Sequence, residues 1–204
     1  SKDLFISNKH DKWISNVYSR GRVHLLRANH DSILTTSKTI LKDNSMLNCR
    51  IDGLKKYSPK RFVIDKNLSI PVTSKIIRTA NKIKTYIFYN LIDNIKLEKL
   101  KRLKVITIRI DLKNNHLDFD KIIFFLRNRG FYRVFVEAGI KFNHFLLENN
   151  YINDFYHFYS DELFGYKGFH NAKFFFNKMN KIMRDKKEIR INLFQDKLIK
   201  YLLK

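Results

Sequence analysis

Short apolar runs and helix-like segments alternate along this chain, and this alternation constrains the fold more than any other feature. Runs rich in Val, Ile, Phe and Tyr, typical of buried strands, occur at residues 32–36, 61–65, 85–89, 105–110 and 132–136. Helical patterns precede or follow them at residues 16–29, from residue 119 to a stop at Gly130, and at 139–148. Strands that alternate with helices predict an α/β fold with a mainly parallel sheet flanked by helices.

The helix that starts near residue 119 has the clearest boundaries. Its apolar side chains recur at i, i+3, i+4 and i+7, which places Phe119, Ile122, Ile123 and Leu126 on one face. Asp118 is a suitable N-cap and Gly130 a suitable stop. For the helix at 16–29 the pattern predicts Ser15 or Asn16 as cap, with Leu25 and Leu26 on the buried side. Gly21 inside this helix suggests close packing or a nearby ligand.

The last part of the chain has a different pattern. Residues 154–159 form an aromatic, strand-like run, and residues 188–193 and 198–203 predict a C-terminal antiparallel pair of strands. No internal repeat and no linker rich in Pro or Gly interrupts the sequence, so we expect a single domain over residues 1–204.

The strongly basic composition admits two interpretations. The chain has 41 Lys and Arg against 19 Asp and Glu, for a formal net charge of +22. The basic residues are scattered, which favours a general basic surface with anionic small-molecule ligands. The alternative is a nucleic-acid-binding module, which would need clustered cations and exposed aromatics. The aromatic runs KFFF and IIFFLRN are predicted to be core instead.

Cysteine content and hydropathy exclude several classes of protein. Cys49 is the only cysteine, which excludes an intrachain disulfide and a multi-cysteine zinc site and fits a reducing cytoplasm. No apolar run approaches the roughly 18 residues that a membrane-spanning helix needs. The N-terminal residues are polar and lack the apolar core of a signal peptide.

The segment VFVEAGIKFNHFLL draws attention because a strand, a turn and a helix follow one another. Ligands of parallel sheets gather at the carboxyl ends of the strands, and a helix N-terminus suits phosphate. An ordinary strand-to-helix turn would show the same pattern. Glu137 is harder to explain in that way, because a carboxylate directly after a buried strand needs partners.

A family resemblance rests mainly on residues 13–50, WISNVYSRGRVHLLRANHDSILTTSKTILKDNSMLNCR. The Trp-Ile-Ser start, the Leu-Arg-Ala helix end, the Thr-Ile-Leu-x-Asp-Asn turn and the Leu-x-x-Arg ending occur in order. RFVID, VFVEAG and YINDFYHFYSDELFGYKG continue the likeness more weakly. The chain resembles the reductase domain of the bifunctional riboflavin-biosynthesis deaminase/reductase, which has a dihydrofolate-reductase-like fold.

The resemblance implies a reaction and a cofactor. The reaction is NADPH-dependent reduction of the ribose of 5-amino-6-(5-phosphoribosylamino)uracil to the ribitylamino form, with hydride delivered to the first sugar carbon. The hydride chemistry belongs to the cofactor, so neither a catalytic triad nor a metal is expected. The alternatives are a related dihydrofolate-reductase-like oxidoreductase with another substrate and the nucleic-acid-binding module.

The resemblance also assigns residues. Those implied for the cofactor are Trp13, Thr39, Asp43, Lys66, Gly139, Ile140, Lys141, Phe142, Asn143, His144 and Phe145. Those implied for the phosphorylated pyrimidine substrate are Asp11, Arg27, Leu47, Arg50 and Glu137, with Glu137 also catalytic. Arginine suits this substrate because its planar fork matches phosphate oxygens. Glu137 is suited to proton transfer as the sugar ring opens.

Three departures and two missing parts accompany the likeness. Leu4, Ser45 and Lys66 stand where the family usually has Gly, Pro and Ser. The strand before the opening motif and the zinc deaminase domain, with its His-x-Glu and Pro-Cys-x-x-Cys motifs, would lie upstream of Ser1. By the same resemblance we expect a cytoplasmic homodimer covalently linked to that deaminase domain, without specific nucleic-acid or membrane partners.

Overall fold

The computed structural model describes residues 1–8 and 14–204, and within them the chain divides into two compact units. We call His24–Gly139 the central unit, and Ser1–Val23 together with Ile140–Lys204 the terminal unit. The predicted ligand residues Asp11 and Trp13 lie outside the described residues.

The described residues form alternating strands and helices along most of the chain. The helices are α1 (Val17–Ala28), α2 (Ser37–Asp43), α3 (Lys75–Arg78), α4 (Asn94–Arg102), α5 (Phe119–Asn128), α6 (Ile140–Glu148) and α7 (Lys173–Ile182). The strands are β1 (Phe5–Asn8), β2 (Ser32–Thr36), β3 (Lys60–Ile64), β4 (Thr85–Tyr89), β5 (Ile106–Arg109), β6 (Leu112–Lys113), β7 (His116–Leu117), β8 (Val134–Val136), β9 (Asp154–Tyr159), β10 (Gly168–Asn171), β11 (Asp185–Ile189) and β12 (Lys197–Leu202).

A parallel sheet organises the central unit. Its strands follow the order β5-β4-β3-β2-β8, and each neighbouring pair is parallel. Ser32 at the start of β2 lies opposite Lys60 on one side and Val134 on the other. In-register parallel strands bring their carboxyl ends to one edge of the sheet, which is where ligands of such sheets bind.

The two faces of this sheet bury different kinds of side chain, because successive residues of a strand point to opposite faces. One face carries Ile33, Val63 and Ile87, which pack with apolar residues of α2, α3 and α4 in an aliphatic core. The other carries Phe62, which stacks on Tyr86 with ring centroids 4.5 Å apart, and aromatics of α5 and the following turn cover it. Helices therefore flank the parallel sheet, as the sequence predicts.

The terminal unit is built on antiparallel strands. β11, β12 and β9 form one sheet in that order, and β1 pairs with β10 in a separate ribbon. Its core is formed by residues of α6, α7 and β12 with their neighbours: Leu147, Ala172, Phe175, Phe176, Met179, Tyr201 and Leu203. Gly168 in β10 is required by close packing, because a Cβ there would lie 2.3 Å from the Phe5 ring.

The predicted elements agree with the structure in type and differ at their ends. β2, β4 and β9 have the predicted bounds, and Asn16 caps α1 by accepting from the backbone N–H groups of Tyr18 and Ser19. The C-terminal antiparallel pair is confirmed, although its first strand begins at Asp185 rather than 188, because pairing with β12 fixes its limits.

Two packing predictions are wrong. Among the described residues, no atom outside the nearby backbone of its own helix lies within 4 Å of the position a Cβ of Gly21 would take, so close packing does not explain this glycine, and the alternative of a nearby ligand stays a prediction. The aromatic runs are not wholly core either, since Phe124 is 66% exposed and Phe174 is 71% exposed. Each run lies on an amphipathic helix, where the 3.6-residue period turns one side chain of a consecutive set outward.

Candidate functional site

Glu137 directly follows β8 and is fixed at the carboxyl end of the parallel sheet. Its backbone N–H donates to the Leu34 carbonyl over 3.0 Å, which extends the β2–β8 ladder by one bond. Its own carbonyl accepts from the hydroxyl of Thr35 at 2.7 Å. Because both bonds tie the main chain to β2, the carboxylate starts from a well-defined position.

The carboxylate of Glu137 forms a two-pronged ion pair with Arg27 in the last turn of α1. Arg27 donates from Nε to Oε1 over 2.6 Å and from Nη2 to Oε2 over 2.7 Å. The side chains of Arg27 and Glu137 are only 9% and 23% exposed. A bidentate, charge-assisted pair at such burial is strong and directional, and it supplies the partner that a carboxylate after a buried strand needs.

His24 and Arg50 complete this group of polar side chains in the central unit. His24 lies one helical turn before Arg27, and its Nδ1 is 3.0 Å from the carbonyl of Asn48. Arg27 donates to the same carbonyl from Nη1 at 2.9 Å. Arg50 is exposed and donates from Nε to Nε2 of His24 over 3.1 Å. We call His24, Arg27, Asn48, Arg50 and Glu137 the arginine cluster.

Burial and two neighbouring arginines affect the charge of His24. The desolvation of the imidazole, followed by repulsion from Arg27 and Arg50, lowers the pKa of His24 below its usual value of 6.5. The bond to Asn48 and the carboxylate of Glu137 act in the opposite direction without cancelling this effect. His24 is therefore neutral near pH 7, and the arginines carry the positive charge of the cluster.

The loop between α2 and β3 carries Leu47, Asn48 and Arg50, and a buried arginine, Arg61, binds its backbone. Arg61 is fully buried, and its guanidinium donates to the carbonyls of Met46, Ile76 and Ile83. Leu47 has a left-handed backbone (φ 49°), and its side chain is buried in the aliphatic core. The side chain of this predicted substrate residue thus serves packing.

Three residues predicted for the cofactor follow the ends of neighbouring strands. Thr39 is half-buried in α2, and its hydroxyl lies 3.3 Å from that of Thr36 at the end of β2. Asp43 ends α2 and is exposed. Lys66, shortly after β3, donates from Nζ to the carbonyl of Asn115 over 2.9 Å. The parallel register of β2 and β3 brings these segments to the same edge of the sheet.

The predicted cofactor stretch from Gly139 to Phe145 forms the turn after β8 and the first turns of α6. Gly139 is exposed, no atom lies within 4 Å of its missing Cβ, and its φ is outside the left-handed region. Ile140, Lys141, His144 and Phe145 line an open groove of about 380 Å³ together with residues of α7. Phe142 stacks on Phe145 at 6.0 Å, and Asn143 is half-buried in the same helix.

His144 is held at one side of this groove. Its ring stacks on Phe174 with an angle of 7° between the planes, and its Nδ1 is 3.4 Å from Glu148. Glu148 also pairs with Lys178 of α7 at 2.8 Å, which lowers the pKa of the carboxyl. The groove combines aromatic surface with cationic nitrogen, a combination that suits an aromatic anion.

Of the residues that the resemblance implies for the substrate, the structure brings Arg27, Arg50 and Glu137 into one cluster. His24 and the Asn48 carbonyl were not predicted. The i, i+3 spacing of His24 and Arg27 on one helix places both side chains on the same face, and this signal was available. The sequence could not predict the role of the Asn48 backbone carbonyl, because the position of this carbonyl depends on the loop conformation.

Two other features are absent from the described residues, a metal site and a membrane-spanning helix. In ranges 1–8 and 14–204, no group of three or more His, Cys, Asp or Glu side chains is placed to hold a metal ion. None of the helices in those ranges has the length and apolar character needed to cross a bilayer.

A parallel sheet flanked by helices defines the class of α/β proteins whose ligands bind at the carboxyl ends of the strands, and the arginine cluster lies at that edge. Residues 6–170 match the RibD C-terminal domain family, and the chain belongs to that family.

Relatives and solved structures agree with this assignment. The chain is 28% identical over 156 residues to the riboflavin biosynthesis protein RibD of Actinobacillus pleuropneumoniae. The aligned region covers 76% of this chain and 41% of that protein. The chain is 27% identical over 172 residues to the 5-amino-6-(5-phosphoribosylamino)uracil reductase of Buchnera aphidicola, which covers 78% and 80%. The structure of RibD from Acinetobacter baumannii superimposes with a TM-score of 0.75 at 21% identity, covering 100% of the chain and 55% of that protein.

These comparisons confirm the predicted fold. The chain spans less than half the length of the RibD relatives it matches, 41% in one and 34% in another from Bacillus amyloliquefaciens. At 21% identity the structural likeness shows the fold alone.

Proposed function

We propose that the protein catalyses the NADPH-dependent reduction of 5-amino-6-(5-phosphoribosylamino)uracil to its ribitylamino form in riboflavin biosynthesis. The observation that carries the proposal is the arginine cluster at the carboxyl end of β8, in a chain of the RibD C-terminal domain family. The Buchnera relative, most of whose length the chain covers, bears the name of this reductase.

The chemistry requires one ring opening, one hydride and one proton. The bond between the first sugar carbon and the ring oxygen breaks, the oxygen gains a proton, and the exocyclic nitrogen loses one as the C=N bond forms. Hydride then adds to that carbon and a proton returns to the nitrogen. In this proposal Glu137 holds and moves the proton. The ion pair with Arg27, which fixes the orientation of the carboxylate, supports this role. Arg50 binds the substrate phosphate.

The residues proposed for NADPH fit an anionic dinucleotide. Gly139 leaves open space where a side chain would project, and the start of α6 directs partial positive charge to phosphate. Lys141 is exposed beside it, and Thr39, Asp43 and Lys66 follow the ends of neighbouring strands. NADPH, when bound, supplies the hydride.

The test of the proposed function is an NADPH-oxidation assay with three substrates: the phosphoribosylamino pyrimidine, its dephosphorylated analogue and dihydrofolate. We expect efficient turnover of the first alone. Arg50→Ala should raise the Michaelis constant for it by roughly ten- to a hundredfold, because one charge-assisted bond is lost. Efficient turnover of dihydrofolate, or the absence of turnover of the phosphoribosylamino pyrimidine, would instead support another substrate.

We further propose that the natural protein is a cytoplasmic homodimer with a zinc deaminase domain covalently attached upstream. The greater length of the RibD relatives supports the additional domain, and a single buried cysteine fits a reducing compartment. The genomic sequence upstream of Ser1 should encode His-x-Glu and Pro-Cys-x-x-Cys motifs. Sedimentation of the full-length protein should give the mass of a dimer.

A further inference from the structure

His24 lies at the centre of the arginine cluster, between the loop that carries Arg50 and the last turn of α1. Its two ring nitrogens contact different partners: Nδ1 is 3.0 Å from the Asn48 carbonyl, and Nε2 is 3.1 Å from Nε of Arg50. No residue role described so far depends on this histidine. Its contacts determine which way the exposed guanidinium of Arg50 faces.

The partners of His24 fix its tautomer. A carbonyl only accepts hydrogen bonds, so Nδ1 must carry the hydrogen that bonds to Asn48. The N–H of Arg50 only donates, so Nε2 must keep its lone pair. Both requirements select the neutral Nδ1–H form. Nη1 of Arg27, 3.4 Å from Nδ1, then faces another donor and bonds to the Asn48 carbonyl instead.

Within residues 1–8 and 14–204, the hydrogen bond to His24 holds the Arg50 side chain by one nitrogen, Nε. Because His24 engages Nε, the two Nη groups at the end of the guanidinium are left to bind a ligand. A long exposed side chain loses conformational freedom when it binds an anion, and a contact that orients it beforehand lowers that cost. Arg27 is not oriented for the same role, since Nε and Nη2 are both bound to Glu137.

We propose that His24 is a positioning residue that presents the guanidinium of Arg50 to the phosphate of the substrate. This inference rests on the proposed function, because it deepens the role of Arg50 in the same site. His24 itself contacts neither the phosphate nor the reacting atoms.

Two substitutions separate the contacts of His24. In His24→Gln the side-chain carbonyl can reach the position of Nε2, so the variant keeps an acceptor for Arg50. In His24→Asn the amide N–H can reach the position of Nδ1, so the variant keeps the bond to Asn48 and loses the acceptor. The matched control is His170→Asn, because His170 is exposed in β10 and has a left-handed backbone that Asn tolerates.

The readout is the affinity of the full-length protein for ribose 5-phosphate. Isothermal titration calorimetry measures this affinity in the absence of turnover. We expect His24→Asn to weaken binding about tenfold, the equivalent of one modest hydrogen bond. His24→Gln should stay within about threefold of the wild type, and His170→Asn should be unchanged. In an Arg50→Ala background, His24→Asn should cause no further loss. Equal losses of affinity in His24→Asn and His24→Gln would overturn the proposal. So would a His24→Asn substitution that weakens binding as much in the Arg50→Ala background as in the wild type.

A pH series gives a second, independent readout. The charged groups that act on His24 are Arg27, Arg50 and Glu137. Protonated His24 would direct the N–H of Nε2 at the N–H of Arg50, and these two donors would separate. Wild-type affinity should therefore fall more steeply below pH 6.5 than that of His24→Gln, while ionisation of the phosphate affects both equally. Parallel pH profiles would contradict the proposal.

Failure of this inference and failure of the proposed function give different results. If the wild type reduces the pyrimidine but the Asn and Gln variants bind ribose 5-phosphate alike, only the role of His24 falls. If the binding contrast holds and no reduction occurs, the reductase proposal falls and His24 remains the positioning residue of a sugar-phosphate site. A wild type that does not bind ribose 5-phosphate overturns the role of His24, whatever the turnover.

Discussion

The central and terminal units each bury a polar side chain, Arg61 and His157, and these two side chains differ in their hydrogen-bond partners. In the central unit, Arg61 is fully buried, yet its guanidinium bonds to three backbone carbonyls and to the hydroxyls of Thr79 and Thr85. In the terminal unit, Nδ1 of His157 in β9 is buried, and it has no hydrogen-bond partner in the part of the chain the structure describes. Hydrogen bonds therefore compensate the burial of Arg61, whereas the burial of Nδ1 of His157 is uncompensated by any described residue.

The kind of sheet accounts for part of this difference. A parallel sheet is covered on both faces, so its neighbouring loops are packed closely and their carbonyls can be met by a buried donor. Antiparallel strands keep one face in solvent, and the strands of the terminal unit are mostly half-buried or exposed. Residues that need exact orientation, such as Glu137, lie in the unit with the more complete network.

Among the changes to buried polar groups, the largest effect is expected from Arg61→Met, which tests the network of the central unit. The change keeps the bulk but leaves the carbonyls of Met46, Ile76 and Ile83 without this donor. Burial already lowers the pKa of Arg61 to about 10, so part of the loss is offset by removing a desolvated charge. We expect the free energy of unfolding to fall by about 3 kcal/mol in urea denaturation.

The neighbouring residue on β3 provides the control for Arg61. Lys60 is exposed, so Lys60→Met should change the free energy of unfolding by no more than about 0.5 kcal/mol. If Arg61→Met proved neutral, its hydrogen bonds would only balance the cost of burying the charge, and the contrast between the units would disappear.

The next effect concerns acid stability of the terminal unit. Burial, with smaller contributions from nearby positive charge including Lys186, lowers the pKa of His157 to about 4. Because the folded-state pKa is below the unfolded value of about 6.5, this stability is present above pH 6.5 and is lost as the pH falls toward 4. The loss should reach about 3 kcal/mol, an upper value for a site that relaxes.

Substitution of His157 by Phe should remove this acid sensitivity. The ring would still pack on Phe176, whose centroid is 4.4 Å away, and the unpartnered Nδ1 would be gone. Thermal melting from pH 7 to pH 4 should show a smaller decline for His157→Phe than for the wild type. His116→Asn, at an exposed position of β7, should leave the decline unchanged.

A smaller effect tests chemistry in the central unit. Glu137→Gln keeps the shape of the side chain but retains one acceptor for Arg27 instead of two and can no longer carry a proton. Turnover should fall at least tenfold, about 1.4 kcal/mol, with NADPH affinity nearly unchanged. Glu98→Gln, on the exposed surface of α4, is the control. Unaltered steady-state kinetics in Glu137→Gln would remove this residue from the mechanism.

How well the sequence predicted the structure depends on the length and the apolar pattern of each element. Short apolar runs identified β2 and β4, because the central sheet buries both faces of its strands, and the i, i+3, i+4 pattern identified α5. Short elements such as α2, α3 and the β6–β7 hairpin were not predicted, since they are too brief to show a period. α4 and α7 were missed because Lys and Asn interrupt their apolar positions.

The candidate site shows the same limit. The residue types at Arg27, Arg50 and Glu137 indicated an anionic substrate, and the family motif indicated their roles, which remain predictions. The sequence did not show that Arg27 is engaged by Glu137 while Arg50 is oriented by His24. That division depends on contacts between residues more than 20 positions apart, and no local periodicity encodes it.

The smallest effect is expected where the aromatic run of α7 turns outward, and it tests whether the terminal unit leaves apolar surface to solvent. Phe174 is 71% exposed and contacts the ring of His144, whereas the adjacent Phe175 is 1% exposed. Phe174→Ser should lower the free energy of unfolding by only about 0.5 kcal/mol, the low end for an exposed aromatic pair. Phe175→Ala should cost about 3–5 kcal/mol, because it leaves a cavity. A loss above about 2 kcal/mol in Phe174→Ser, growing with protein concentration in the melting experiment, would mean that another chain covers this face in solution.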